Sequence, residues 1–182
     1  MKKNILIGIC GGIASYKICE LVRLLIKDDF KVKVMMTESA TKFITPLVFQ
    51  TLSGNPVYLD MFCSIKKENI EHINLSDWAQ ICVIAPATAN TISKIACGIS
   101  DNLLTTVVCA LSENIPVLIA PAMNENMWKN PIIKANIAKL KKLKKYIILD
   151  PVKGRLACGK YGDGRLAEPI DIYKKIRELS FK

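Results

Sequence analysis

Short, nearly unbroken apolar runs alternate along this chain with longer segments whose apolar residues recur every three or four positions. The runs cover residues 4–10, 31–36, 81–85, 116–120 and 146–149. Runs of this length fit strands buried on both faces of a parallel sheet. The first periodic segment, 13–27, puts Ile18, Leu21, Val22 and Leu25 on one helical face. Helical patterns recur at 91–97, at 102–111, after Pro131 with Ile132, Ile133, Ile137 and Leu140, and at 170–179. Residues 41–52 read as short helical pieces interrupted by Pro46. Strands alternating with helices predict an α/β fold with a doubly wound parallel sheet of Rossmann or flavodoxin-like type. The length, 182 residues, fits one domain over 1–182. Two stretches, 54–77 and 150–168, are long for plain connections and read as functional loops.

In such a sheet, ligands bind beyond the carboxyl ends of the strands, so the chemistry is sought there. The first strand runs into Gly8-Ile-Cys-Gly11-Gly12-Ile13-Ala14-Ser15-Tyr16-Lys17. Glycines between strand and helix let backbone N–H groups approach a phosphate. The spacing is not GxGxxG, so a dinucleotide does not follow. The second strand ends in Thr37-Glu38-Ser39. Glu38 suits a ribose, while Thr37 and Ser39 suit a mononucleotide phosphate. Residues 85–91, Ala-Pro-Ala-Thr88-Ala89-Asn90-Thr91, make another anion-binding helix start, and Asp101 reads as the N-cap of the next helix. The run at 116–120 leads into Pro121-Ala122-Met123-Asn124-Glu125-Asn126-Met127-Trp128. An Asn there offers a donor and an acceptor to a carboxylate or amide. Two Met and a Trp exclude water around it. The Gly-rich stretch 155–169 carries Arg155, Cys158, Lys160, Tyr161 and Arg165 and reads as a flap over a ligand. His72, the single imidazole, lies in Glu71-His72-Ile73-Asn74-Leu75 ahead of Trp78.

Composition narrows the field. Apolar residues make up 51% and charged residues 23%, and no apolar run has the length of a membrane span. The start of the chain reads as a strand rather than a signal peptide, so the expected location is the cytoplasm. Seven cysteines without CxxC spacing, and one His, argue against a structural zinc site. Cys19, Cys82, Cys97 and Cys109 sit in apolar segments and are expected to be buried, whereas Cys158 sits among glycines and charges. The net charge of +10 favours anionic ligands. Much of it comes from Lys139, Lys141, Lys142, Lys144 and Lys145, expected on a solvated helix face. Without interleaved aromatics, no nucleic-acid surface is expected.

Taken together, GGIASYK (11–17), EHINLSDWA (71–79), APATANTISKIACGISDNLLT (85–105), PAMNENMW (121–128) and RLACGKYGDGRLAEP (155–169) resemble the homo-oligomeric flavin-containing cysteine decarboxylases. The resemblance runs from about residue 4 to 169. It implies FMN as cofactor, held by Gly11, Gly12, Ile13, Thr37, Ser39, Thr88, Ala89, Asn90, Thr91, Asp101 and Ala122. It implies His72 as base, Asn124 as holder of the substrate carboxylate and Cys158 as proton donor. Substrate contacts then fall on Asn124, Met127, Arg155, Ala157 and Lys160, with residues 153–169 as a clamp loop. It further implies a homotrimer or multiple of trimers with sites shared between subunits. The clamp containing Cys158 points to the branch that acts on phosphopantothenoylcysteine in coenzyme A synthesis. The chain is expected to be a stand-alone decarboxylase whose small phosphorylated substrate comes from a separate synthetase.

The implied reaction is oxidation to a thioaldehyde, loss of CO2 to an enethiolate, and re-reduction. The residue types suit it: imidazole exchanges protons near neutrality, and a thiol is an acid of useful strength. Two alternatives stand beside it. A peptide C-terminal cysteine decarboxylase would share His72 and Asn124, but Arg155, Lys160 and Arg165 favour a phosphorylated substrate. A non-catalytic flavin-binding regulatory or electron-transfer module would have no need of Cys158.

Overall fold

The computed structural model describes residues 3–62, 70–155, 157, 159 and 161–181. Six parallel strands form one sheet: β1 (Asn4–Ile9), β2 (Lys31–Met36), β3 (Val57–Tyr58), β4 (Ile81–Ala87), β5 (Val117–Pro121) and β6 (Tyr146–Ile148). Their order is β3-β2-β1-β4-β5-β6, so the winding reverses between β1 and β4. The doubly wound expectation holds. Alternation along the strands feeds two cores. Ile5, Ile7 and Ile9 pack on one face with α1 (Ile18–Lys27), Phe49 of α3 (Pro46–Ser53) and Ile172 and Ile176 of α9 (Pro169–Ser180). Leu6, Met35, Cys82, Ile84 and Ile119 face the other way, onto α5 (Ala89–Cys97), α6 (Leu103–Ala110) and α8 (Pro131–Lys141).

Several expectations need correction. Residues 13–27 are not one helix: Ile13–Lys17 is a 3-10 turn before α1. Pro46 does not interrupt a helix but opens α3, where its missing N–H has no partner to lose. A four-residue helix, α2 (Glu38–Thr41), precedes it. The loop at 54–77 contains β3 and α4 (Glu71–Trp78), and the loop at 150–168 folds as an antiparallel hairpin of β7 (Val152–Arg155) and β8 (Tyr161–Arg165). Asn102, not Asp101, caps α6: its Oδ1 accepts from Thr105 N–H at 3.1 Å. Asp101 instead pairs with Lys94 at 2.6 Å. Cys82 is buried and Cys19 half-buried, but Cys97 and Cys109 are exposed. Lys145 leaves the solvated face and donates to the carbonyl of Leu111 at 2.6 Å, capping the end of α6. Ile132, assigned to the apolar face of α8, is exposed.

Candidate active site

A cleft of about 640 Å³ opens at the reversal of the sheet, where crossovers diverge and leave strand ends uncovered. Three strand ends build it. After β1 come Gly11, Gly12, Ile13 and Ala14; after β4, Thr88 and Ala89; after β5, Ala122, Met123, Asn124 and Met127. The hairpin closes the remaining side with Arg155, Ala157, Gly164 and Arg165. Lys17 and Tyr16 stand at the end of the 3-10 turn and line the same space.

Each wall is fixed locally. Ser15 is buried and its hydroxyl donates to the carbonyl of Gly12 at 2.6 Å, tightening the glycine turn. Thr88 caps α5, its hydroxyl accepting from Thr91 N–H at 3.3 Å. Thr88 and Ala89, at the start of this helix, line the cleft. Asn124 caps α7 (Glu125–Lys129) by accepting from Asn126 N–H at 2.9 Å. Trp128 is buried beneath, with the Lys134 ammonium 3.6 Å over its ring, and anchors the turn. Met127 stays 48% exposed, turned into the cleft. Met123 N–H donates to Gly164 O at 2.9 Å, so the hairpin is tied to the residue beside Asn124. Gly164 has φ 129, and a Cβ there would collide with the Met123 carbonyl. Under the floor, burial pushes the Cys10 thiol up, against smaller contributions from hydrogen bonds to Thr91 and Thr88.

Of the residues expected at a flavin site, Gly11, Gly12, Ile13, Thr88, Ala89 and Ala122 line the cleft. Thr37, Ser39, Asn90, Thr91 and Asp101 do not. Thr37 caps α2, Thr91 is buried behind Thr88, and Asp101 is exposed on its ion pair. Asn124, Met127, Arg155 and Ala157 line it as expected. Cys158 and Lys160 lie outside the described residues. His72 does not line the cleft: it is half-buried on α4, which packs against α6. Sequence reasoning missed Lys17 as a lining residue. Its spacing, one turn beyond Gly12 and Ile13, was the available signal.

The cleft fits a flavin phosphate and ring. Gly12 has nothing within 4 Å of where a Cβ would stand, leaving a cradle that any side chain would fill. Ile13, Ala89, Ala122, Met123 and Met127 add apolar surface that would shield a flat ring from water.

The comparisons agree with this geometry. The chain matches the Flavoprotein family over residues 1–180. It is 43% identical over 178 residues to the probable phosphopantothenoylcysteine decarboxylase of Streptococcus mutans, covering 98% of this chain and 99% of that one. It is 48% identical over 174 residues to the coenzyme A biosynthesis bifunctional protein CoaBC of Borreliella burgdorferi, covering 96% of this chain and 44% of that protein. The chain thus spans less than half the length of the bifunctional relatives. Among solved structures it is similar to a PPC decarboxylase mutant complexed with pantothenoylaminoethenethiol, with TM-score 0.89, 34% identity and full coverage of both chains. The peptidyl-cysteine decarboxylase EPID gives TM-score 0.80 at 28% identity, also over both full chains. The chain belongs to the Flavoprotein family, among the flavin-containing cysteine decarboxylases that include phosphopantothenoylcysteine decarboxylase.

Proposed function

We propose that this chain is an FMN-dependent phosphopantothenoylcysteine decarboxylase that forms phosphopantetheine for coenzyme A synthesis in the cytoplasm. The observation that carries the reading is that the glycine turn, the Asn124 turn and the hairpin all open onto one cleft. FMN, bound along Gly11, Gly12, Thr88 and Ala89, would supply the electron sink that a cysteine α-carboxylate lacks. The chain's own residues do the rest. Asn124 holds the substrate carboxylate without adding charge, and Met123 and Met127 keep the reacting carbon dry. With the thiol carbon oxidised to a thioaldehyde, CO2 leaves and its electron pair moves onto sulfur as an enethiolate. His72 takes the thiol proton in the first half. Cys158 gives a proton at carbon in the second half, and the two electrons held by the bound flavin would return with it, giving the saturated aminothiol with net redox zero.

Since His72 does not line the cleft of its own chain, the reading has a second copy deliver it. A homotrimer with shared sites meets that need. The domain is 1–182, with the hairpin as its clamp. No helix of the described residues is long and apolar enough to cross a membrane.

The test is direct. The purified protein should release FMN on denaturation and, when intact, release CO2 from phosphopantothenoylcysteine. A protein that takes up no FMN, or one that carries FMN and liberates no CO2, contradicts the proposal.

A further inference from the structure

We propose that Lys17 and Arg165, gathered on the Glu168 carboxylate with Arg155 alongside, form a subsite for the phosphate monoester of the substrate. This rests on the decarboxylase reading above. Lys17 Nζ lies 3.3 and 3.2 Å from the two Glu168 oxygens, and the Arg165 guanidinium holds the same carboxylate. One acid thus gathers two cationic heads at the edge of the cleft. Arg155 lines the same cleft and has no ion pair among the described residues. No Asp or Glu of the described residues lines the cleft.

A stabilising ion pair needs one cation per carboxylate. Here three cations face one acid, leaving two net positive charges. The Lys17 side chain is only 14% exposed, so its charge is partly stripped of water and needs anionic partners. A carboxylate has about four lone-pair sites, against three donors on Lys and five on each Arg. Donors therefore remain for a further anion. A phosphate monoester carries about −1.5 to −2 near neutrality, which matches the surplus. Arg binds it with a two-pronged fork, and Gly154 leaves room for this: a Cβ there would lie 3.0 Å from the Arg165 Cδ.

The flavin phosphate is the competing source of the same chemistry. It has its own candidate donors in the backbone N–H groups after Gly12 and at the start of α5, which line the cleft without any charged side chain. The substrate carboxylate is assigned to neutral Asn124. The cationic wall is left for the anion at the far end of the substrate.

The experiment compares phosphopantetheine with pantetheine as ligands of the flavin-loaded protein, by calorimetry, for the wild type, R165Q and R155Q. Kinetics with the phosphorylated and dephosphorylated cysteine substrates run in parallel. The wild type should bind the phosphorylated ligand at least about tenfold tighter, the worth of one charge-assisted contact. R165Q should lose about tenfold or more of that preference, and R155Q a smaller part. Flavin content should stay at the wild-type level. R155Q breaks no ion pair among the described residues, so it remains readable if R165Q does not fold. Equal weakening of both ligands overturns the subsite while leaving the decarboxylase standing. Loss of FMN from R165Q reassigns the cations to the cofactor phosphate and also overturns it. A wild type that releases no CO2 overturns the decarboxylase reading and the subsite with it.

Discussion

At the scale of single residues, the turn carrying Asn124 is held from both sides. Its side chain caps α7, and the preceding Met123 N–H is tied to Gly164 of the hairpin. Asn124→Asp separates structure from function, because Asp caps a helix as well as Asn does. The variant should fold and retain FMN, but a like charge would oppose the substrate carboxylate at a cost on the order of 3 kcal/mol. Substrate titration checks this; unchanged affinity would reduce Asn124 to a capping residue. Gly164→Ala acts on the other tether. Its φ of 129 and the adjacent Met123 carbonyl leave no room for a Cβ. The expected loss is roughly 1–3 kcal/mol in denaturant unfolding, with faster protease cleavage within 150–168. Wild-type stability and cleavage would show that the hairpin is not held there. The sequence made Asn124 and the glycine turn readable, since short polar words at strand ends stand out from apolar runs. It did not reveal that Thr37 and Thr91 are occupied by local capping. Which side chain turns inward depends on backbone angles that residue type alone leaves open.

At the scale of elements, long apolar patterns were legible and short ones were not. β1, β2, β4 and β5 lie where their runs predicted, because a parallel strand covered on both faces is apolar at nearly every buried position, with Lys31 and Lys33 of β2 at its less buried end. β3 has two residues, too few for periodicity. β7 and β8 pair only with each other and are rich in Gly and charge, so no alternation marks them. Asn102 shows the same limit, since two adjacent residues were both able caps. Asn102→Ala should cost about 1 kcal/mol in thermal or denaturant unfolding, whereas Asp101→Ala, which breaks only an exposed ion pair, should cost clearly less. Equal losses would return the cap to Asp101. A second expectation concerns alkali. Burial pushes the Cys82 thiol up to about 12 from 9.0, with Lys145 opposing weakly. The folded state thus prefers the neutral thiol. Its stabilising effect is complete below pH 9.0 and is lost as pH rises through about 12. Each pH unit in that window should remove about 1.4 kcal/mol of stability through this group. Cys82→Ala should flatten the alkaline limb of a stability-versus-pH curve. An unchanged limb would exclude Cys82 as its source.

At the scale of the whole molecule, the cleft gathers the glycine turn, the Asn124 turn and the hairpin from three distant parts of the chain, while His72, on α4, does not line it. A single chain pattern cannot show that separation, because the motif order is compatible with one site or with a site split between copies. The proposed sharing is testable by mixing. His72→Asn and Asn124→Asp should each be inactive as pure assemblies. When the two are dissociated and reassembled together, some sites recover both native residues, and CO2 release should return. Continued inactivity of well-formed mixed assemblies would contradict a site shared between copies.

The central claim, decarboxylation of a small phosphorylated cysteine conjugate, meets its most direct test in a competition. The FMN-loaded protein is given phosphopantothenoylcysteine and a peptide ending in cysteine in one vessel, and both products are followed by mass spectrometry. The account predicts that the phosphorylated conjugate becomes lighter by one CO2, ending as the saturated aminothiol, while the peptide is unchanged. Conversion of the peptide with the conjugate left intact, or of neither, would contradict it.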